Sequence, residues 1–298
     1  MGSPDGDTVP PRVDDDLVID LRDGVTDPLP PTPEEEIVDL RDRPIPVADP
    51  TETGAEAAED LVPSRGPSGR PDPLPPGCRM VTITGGDLWM EAEAFVYDSY
   101  REVGFCEPSP RRRVEELARW HDASTFHAVL AEDDSIIGTI RTITGDYDDL
   151  PIGKFTRTDF RHPNPVSELS SLTVRSDVRS TGVIERLYRA GWIAGCRAGT
   201  SATVALIDDW LLDVFHQTYR LFFKVVGEAQ PHMGGEPIPV ALTHGDETYL
   251  PLLQQNPGFW AWLLEAVRPE EAEEWGLPLV LEDGTRIQPG SDIAVHMA

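Results

Sequence analysis

The stretch SELSSLTVRSDVRSTGVI, residues 167–184, decides the fold of this chain. Residues 170–174 alternate and are rich in Leu, Thr and Val, which predicts a β-strand. After a short polar break, Ile184, Leu187, Tyr188 and Gly191 recur at the spacing of one helix face. A turn that holds Arg and Gly at the start of a helix offers free backbone N–H groups, which attract anions. The stretch therefore predicts a strand, an anion-binding turn and a helix in succession.

A carboxylate, Glu168, stands at the head of the predicted strand. An anion-binding turn and a potential base close together in sequence suggest an acyl-transfer site. Acyl transfer to an amine needs a base, stabilisation of the thioester oxyanion and a proton for the leaving thiolate. Apolar neighbours such as Leu169 and Leu172 raise the pKa of a carboxyl group, so Glu168 is a candidate general base. The candidate oxyanion donor is a backbone N–H between Leu172 and Val174. The alternative is an ordinary β–turn–α unit with a solvated carboxylate.

Six groups of residues follow one another in an order typical of one enzyme family. They are Asp122 with His127, Gly138 with Arg141, Leu150 and Pro151 with Phe155, Glu168 with Ser170, Ser171 and Val174, Gly227 and Glu228 with His232 and Gly234, and residues 238–242. This order resembles the acyl-homoserine-lactone synthases and the related N-acyl-amino-acid synthases, a subgroup of the GCN5-related acyltransferase fold. In that fold an Arg/Gln-x-x-Gly-x-Gly/Ala turn binds the donor's pantetheine pyrophosphate, and Arg179 and Gly182 match it.

The resemblance implies an α/β fold, a mixed central sheet flanked by helices. It implies that Glu168 is the catalytic base. It also implies a catalytic role for Tyr219, which stands at a helix position where many of these acyltransferases carry a Tyr that protonates the thiolate. As an aromatic residue on a helix, Tyr219 is equally suited to the core. The donor contacts that it implies are Val174, Arg179, Thr181 and Gly182. The substrate pocket that it implies is formed by Asp122, Arg141, Phe155 and Ser170. The implied donor is a thioester of an acyl carrier protein or of coenzyme A, with no metal.

Arg141 lies in the middle of a predicted strand, between Ile140 and Ile143. A buried charge needs a partner, and Asp122 is the candidate. The functional alternative is that these two residues shape the acceptor or carrier pocket. His127 is interpreted as a core histidine.

The first 77 residues differ in composition from the rest. They hold 16 of the 29 prolines and 19 acidic against 6 basic residues, with no aromatic residue. Such a segment cannot bury enough apolar surface to offset its ordering entropy. We therefore expect a disordered acidic tail over residues 1–77 and an acyltransferase-like domain over residues 78–298.

Charge and cysteine usage narrow the function classes. The net charge of −28 opposes generic nucleic-acid binding, which needs a basic surface. Cys78, Cys106 and Cys196 form no paired motif, which favours reduced thiols and no metal site. The N-terminus is acidic rather than basic and apolar, and no run approaches 18 apolar residues. These features predict a cytoplasmic protein without a membrane span.

Two features suggest protein partners. Acyl carrier proteins are acidic, so an acidic enzyme must offer them a local basic patch. The dense basic clusters are Arg111, Arg112, Arg113 and Arg119, and Arg175, Arg179, Arg186 and Arg189. Within residues 14–42 an acidic triplet, an aliphatic pair and a Leu-Arg-Asp ending occur twice, which fits a bivalent docking motif or chance similarity in an acidic tract.

The remaining pattern predicts alternating strands and helices. The predicted strands are residues 79–84, 126–131, 136–143 and 203–207, and a last hairpin covers residues 225–243. One predicted helix starts at Leu88 with Asp87 as its cap. The other predicted helices cover residues 111–120, 210–222 and 257–274. Residues 145–165 are predicted as a long polar loop.

We therefore expect an acyltransferase that moves a fatty acyl group from a thioester to the amine of an amino acid or similar small molecule. The first alternative is a coenzyme-A-dependent N-acetyltransferase of a small amine or a protein. The second is a catalytically inactive scaffold whose tail binds a partner, which the off-pattern Ser171 and Ile184 keep open.

Overall fold

The computed structural model describes residues 69–158, 164–179 and 181–290. Most of the expected acidic tail, including the repeats in residues 14–42, lies outside the described residues. Residues 69–77 are described, and they contact the domain: Arg70 pairs with Glu265, and Leu74 packs on an apolar cluster.

A seven-stranded sheet forms the centre of the domain. Its strands are β1 (Arg79–Ile83), β2 (Ser124–Leu130), β3 (Ile136–Gly145), β4 (Val166–Val174), β5 (Ala202–Ile207), β6 (Lys224–Val225) and β7 (Ile238–Thr243). They lie in the order β1-β2-β3-β4-β5-β7-β6. β4 and β5 are parallel, and all other neighbouring pairs are antiparallel.

Helices cover both faces of the sheet. The α-helices are α1 (Asp87–Glu102), α2 (Glu115–Ala118), α3 (Val183–Arg197), α4 (Asp209–Val214), α5 (Asp246–Gln255), α6 (Pro257–Leu264) and α7 (Pro269–Glu274). A π-helix, Phe215–Tyr219, continues α4. α1 packs on one face through Trp89 and Val96, and α3 packs on the other through Val183 and Leu187. This arrangement confirms the predicted fold class of a mixed sheet flanked by helices.

Two irregularities of β4 create space in the middle of the sheet. β4 pairs with β5 only at Ser167, Glu168 and Leu169, and beyond these residues the two strands separate. On its other side, the pairing with β3 shifts around Ser171, whose φ of 54° marks a bulge. Because β4 leaves one neighbour and bulges against the other, the sheet opens beside the predicted strand–turn–helix unit.

Several predicted elements differ from the structure. The predicted helix over residues 111–120 shortens to the four residues of α2. α1 begins at Asp87 itself, after Gly86 with φ 77°, so the predicted Asp87 cap is wrong. The last predicted helix, residues 257–274, is two helices, because Pro269 has no N–H and starts a new helix at its first turn. α5 was missed, because Pro251 inside it reads as a helix breaker.

No helix in the described part of the chain has the length and apolar character that a membrane span requires.

Candidate active site

A cavity of about 350 Å³ fills the space between the separated strands β4 and β5. Its wall on the α1 side includes Tyr100, Leu117 and Pro151, and its wall on the α3 side includes Tyr188 and Tyr219. The cavity therefore passes through the sheet and connects its two faces.

Glu168 lies at the narrow end of this opening, on the last residues that join β4 to β5. Its side chain is 1% exposed, and Oε2 accepts a hydrogen bond of 3.0 Å from the backbone N–H of Ile152. Burial raises the pKa of Glu168 to about 8, although the Ile152 N–H and Lys154 act in the opposite direction. A carboxyl group of this kind exchanges its proton close to neutral pH.

His232 forms part of the same cavity wall. Its ring stands edge-on to Phe155, with the centroids 5.5 Å apart. Burial and the nearby Lys154 lower the pKa of His232, so the imidazole is neutral at pH 7. Phe155, a predicted pocket residue, is buried behind His232 and supports that wall from outside the cavity.

The bulge of β4 brings Ser170 and Ser171 to the cavity. Ser171 and Leu172 together stand opposite Ile140 of β3, so this part of the β4 backbone leaves the ladder. The Ser171 side chain hydrogen-bonds the Tyr100 hydroxyl, and burial raises the pKa of Tyr100. The left-handed backbone at Ser171 therefore lies at the opening, together with the polar pair of Ser171 and Tyr100.

The predicted anion-binding turn leads from β4 into α3. Arg179 lines the cavity and donates from Nε to the carbonyl oxygen of Val174 over 3.3 Å. The Thr181 hydroxyl donates to the Val178 carbonyl oxygen over 2.6 Å, which closes the turn. Gly182 directly precedes α3, where the positive end of the helix dipole favours anions. Of the four predicted donor contacts, Val174 and Arg179 line the cavity, whereas Thr181 and Gly182 lie in the turn outside its lining.

Tyr219, the predicted general acid, ends the π-helix and is 3% exposed. It lines the cavity, and its hydroxyl donates to Oε1 of Glu185 over 3.1 Å. Glu185 is itself buried, in the first turn of α3 beside the anion-binding turn. The Tyr219 hydroxyl is therefore fixed in place between the cavity and the start of α3.

The expected pair between Asp122 and Arg141 does not form. Asp122 lies exposed on a 3-10 helix, His121–Ala123, that precedes β2, and it lies outside the cavity. Arg141 is 2% exposed, and it donates to Ser124 Oγ at 2.9 Å and to the Leu117 carbonyl oxygen at 3.0 Å. No carboxylate in the described part of the chain forms an ion pair with it, and burial lowers its pKa to about 10.

His127 is separate from this site, as interpreted from the sequence. It is 4% exposed, and its Nδ1 lies 3.3 Å from Thr82 Oγ1. Burial, together with Arg197, lowers its pKa to about 4. His127 is therefore a neutral histidine of the core.

Sequence reasoning did not assign several cavity residues. They are Tyr100, Phe105, Tyr188, Asp208, His232 and Met233. They come from five separate parts of the chain, so no local spacing joins them. His232 alone carried a signal, since it belongs to the Gly-Glu-x-x-x-His segment that supported the resemblance.

Much of the predicted basic surface is neutralised by neighbouring acids. Arg112 pairs with Asp98, Arg113 with Glu115 and Arg175 with Asp177. Arg189 is different: it lies 4.1 Å above the Trp262 ring and donates to the Trp262 carbonyl oxygen. Among the described residues, no His, Cys, Asp and Glu side chains gather as a metal site would require.

A mixed sheet that opens between two parallel strands, with a buried carboxylate inside the opening and Arg179 of the predicted anion-binding turn in its wall, is the arrangement of an N-acyltransferase of the GCN5-related type. The family model of the N-acyl amino acid synthase FeeM matches residues 91–245, more than half of the chain. The chain therefore belongs to this family, and it is an enzyme that transfers an acyl group to an amine.

Solved structures give similar folds. FeeM from uncultured soil microbes is 15% identical over 56% of this chain and 91% of its own, with a TM-score of 0.41. The coenzyme-A-dependent acyl-homoserine lactone synthase BjaI, solved with SAM and isopentyl-CoA, is 14% identical over 70% of this chain and 95% of its own, with a TM-score of 0.46. The acyl-homoserine lactone synthase LasI is 12% identical over 59% and 93%, with a TM-score of 0.42. These likenesses carry no argument about substrates. No curated protein sequence matches the chain significantly.

Proposed function

We propose that this enzyme transfers a fatty acyl group from an acyl thioester to the amine of an amino acid. The observation that carries the proposal is the cavity through the sheet, with a buried carboxylate of raised pKa in its wall and an anion-binding turn at one end. The thioester enters from the turn, and the amine meets it beside Glu168.

Glu168 acts as the base in this proposal. The attacking amine loses a proton as it bonds to the thioester carbonyl carbon, and a carboxylate with a pKa of about 8 accepts that proton. Its bond from the Ile152 N–H fixes the direction of Oε2. Neutral His232, in the same wall, is able to pass the proton onward.

The oxyanion is stabilised from one side of the cavity, and the leaving thiolate is protonated from the opposite side. In this proposal the oxyanion is stabilised by backbone N–H groups at the Ser171 bulge, where the register with β3 breaks. The thiolate departs toward α3, where the Tyr219 hydroxyl lies, and it takes the proton of that hydroxyl. Glu185, which already accepts a hydrogen bond from this hydroxyl, orients it.

The acyl chain lies toward the α3 face. There the wall includes Leu169, Tyr188 and Phe215, and behind these residues lies a second cavity of about 50 Å³. This second cavity is lined almost entirely by apolar and aromatic side chains, among them Trp260 and Leu263 of α6. Apolar cavities stay dry and accept apolar groups, so the two spaces together hold an alkyl chain.

The acceptor lies toward the α1 face. Tyr100 and Leu117 line that end, and the buried guanidinium of Arg141 stands directly behind them, bonded to the Leu117 carbonyl oxygen. Because only neutral groups among the described residues accept hydrogen bonds from Arg141, its field favours an acceptor that carries a carboxylate. An amino acid supplies a carboxylate and an amine together.

The donor is tested as two thioesters, one on an acyl carrier protein and one on coenzyme A. Lipids of cells that produce the wild-type chain are compared by mass spectrometry with lipids of cells that produce Glu168→Gln at the same level. An N-acyl amino acid present only with the wild type supports the proposal and identifies both substrates. Purified enzyme with either thioester and the identified amino acid must then release free thiol. Identical lipids from both strains, and no thiol release by the wild type, would refute the proposal.

A further inference from the structure

The segment of residues 70–74, which we call the strap, lies across the anion-binding turn. The carbonyl oxygen of Asp72 stands so close to Gly182 that a Cβ atom at position 182 would lie 1.9 Å from it. Glycine is therefore required at position 182 by the strap itself, because any side chain there would collide with the Asp72 backbone.

Arg186 holds the strap in this position. Its Nη1 donates to the Asp72 carbonyl oxygen over 2.6 Å and to the Gly182 carbonyl oxygen over 2.9 Å. Arg186 lies one turn into α3, so its guanidinium and the backbone of Gly182, which is buried under the strap, form one small basic site, which we call the phosphate seat. A partially negative oxygen of the chain itself occupies this seat.

The strap is anchored by weak contacts at both ends. Arg70 makes a bidentate pair with Glu265, at 2.5 Å and 2.8 Å, but both side chains are about half exposed. Leu74 packs, partly buried, on the cluster that contains Val183 and Ile184. The ends of the strap are therefore held weakly, whereas Pro71 between them is buried against the domain.

We propose that the strap covers the phosphate seat in the free enzyme, and that a phosphate of the donor displaces it and binds Gly182 and Arg186. The proposal rests on the proposed function in one respect, that the donor is a thioester bearing a phosphate. A phosphate oxygen carries a full charge, and its hydrogen bonds with Arg186 are about twice as strong as those of a neutral carbonyl oxygen. The phosphate of the acyl donor therefore displaces the Asp72 carbonyl oxygen from its hydrogen bond with Arg186.

The test uses the full chain and coenzyme A as the probe. Hydrogen exchange at the amides of Arg70, Asp72 and Leu74 is measured with and without saturating coenzyme A, and we expect faster exchange when it is bound. Calorimetry then compares the wild type with Arg70→Ala, which loosens the strap without changing the seat. Loss of the exposed pair should tighten binding of coenzyme A by roughly two- to fivefold.

Arg79→Ala is the matched control, since it removes a similarly exposed pair with Asp134 on the first strand. Its affinity for coenzyme A should equal that of the wild type. If the wild type binds no coenzyme A, the double variant Arg70→Ala/Leu74→Ala must bind it. Unchanged strap exchange on binding, unchanged affinity in Arg70→Ala, or no binding by either protein overturns the proposal.

Acyl-transfer assays separate this proposal from the function. Turnover while the strap stays in place would contradict the displacement of the strap but not the proposed function. A displaced strap without turnover contradicts the function alone.

Discussion

Replacement of Glu168 by Gln has consequences for stability and for catalysis that point in opposite directions. The pKa of Glu168 is about 8 in the fold, against an ordinary value of 4.5, because the carboxyl group is buried. The folded protein thus binds this proton more tightly than the unfolded chain does. Its stabilising effect is complete below pH 4.5 and is lost as the pH rises to about 8. Glu168→Gln has no such proton to lose.

The free energy of unfolding should therefore separate the two proteins as the pH increases. Between pH 5 and pH 8 the wild type should lose roughly 3 kcal/mol relative to Glu168→Gln. Urea unfolding at both pH values measures this change. The kcat of Glu168→Gln should fall by about 10² to 10⁴-fold near neutral pH, because a general base contributes that factor. The deficit should shrink at higher pH, where free amine becomes abundant.

Glu271→Gln is the matched control. Glu271 is equally buried, but hydrogen bonds from Arg197 and Arg268 outweigh the effect of burial and lower its pKa to about 2. This variant should be less stable at neutral pH and should keep the wild-type kcat. Our reasoning on Glu168 fails if wild type and Glu168→Gln lose stability equally between pH 5 and pH 8. It also fails if the kcat deficit stays flat with pH, which would make Glu168 an orienting group for the acceptor ammonium.

Substitutions at three further positions test other parts of the cavity. Arg179→Ala should raise the donor KM by roughly tenfold to 150-fold, because a charge-assisted hydrogen bond contributes about 1.5–3 kcal/mol. Unchanged donor affinity by calorimetry would show that the turn has only a structural role. Tyr219→Phe keeps the ring but removes the hydroxyl, so it should lower kcat and leave the donor KM unchanged, and an unchanged kcat would assign Tyr219 to the core. Ser171→Val should lower the melting temperature and Ser171→Gly should nearly preserve it, because φ is 54° at this position. Equal melting temperatures would show that the bulge relaxes freely.

The regular part of the fold was accessible from sequence because its signals are local. Alternation predicted most of the sheet strands, and the spacing from Ile184 to Gly191 predicted α3. Two of the errors fall at prolines, which interrupt some helices and begin others. Pro251 lies inside α5, whereas Pro269 starts α7 after a break, and only packing against the rest of the chain distinguishes these cases.

The site was accessible to a smaller extent. Glu168 and the turn at Arg179 and Gly182 are neighbours in sequence, so one stretch revealed them. The opposite wall depends on which distant segments the sheet brings together, and nothing near Tyr100 in sequence indicates the cavity. The Arg141 pairing failed for the same reason: a backbone carbonyl oxygen and a serine hydroxyl accept its hydrogen bonds, and no composition pattern indicates a neutral partner.

The cavity through the sheet has a consequence for the kinetic order of the reaction. Residues on both faces of the sheet line the opening, so under the proposed function thioester and amine approach from opposite sides, and neither has to leave before the other binds. We therefore expect a ternary complex, with intersecting rather than parallel double-reciprocal plots. Under the same proposal the amide product occupies both sides of the sheet, so we expect its release to become slower as the acyl chain lengthens.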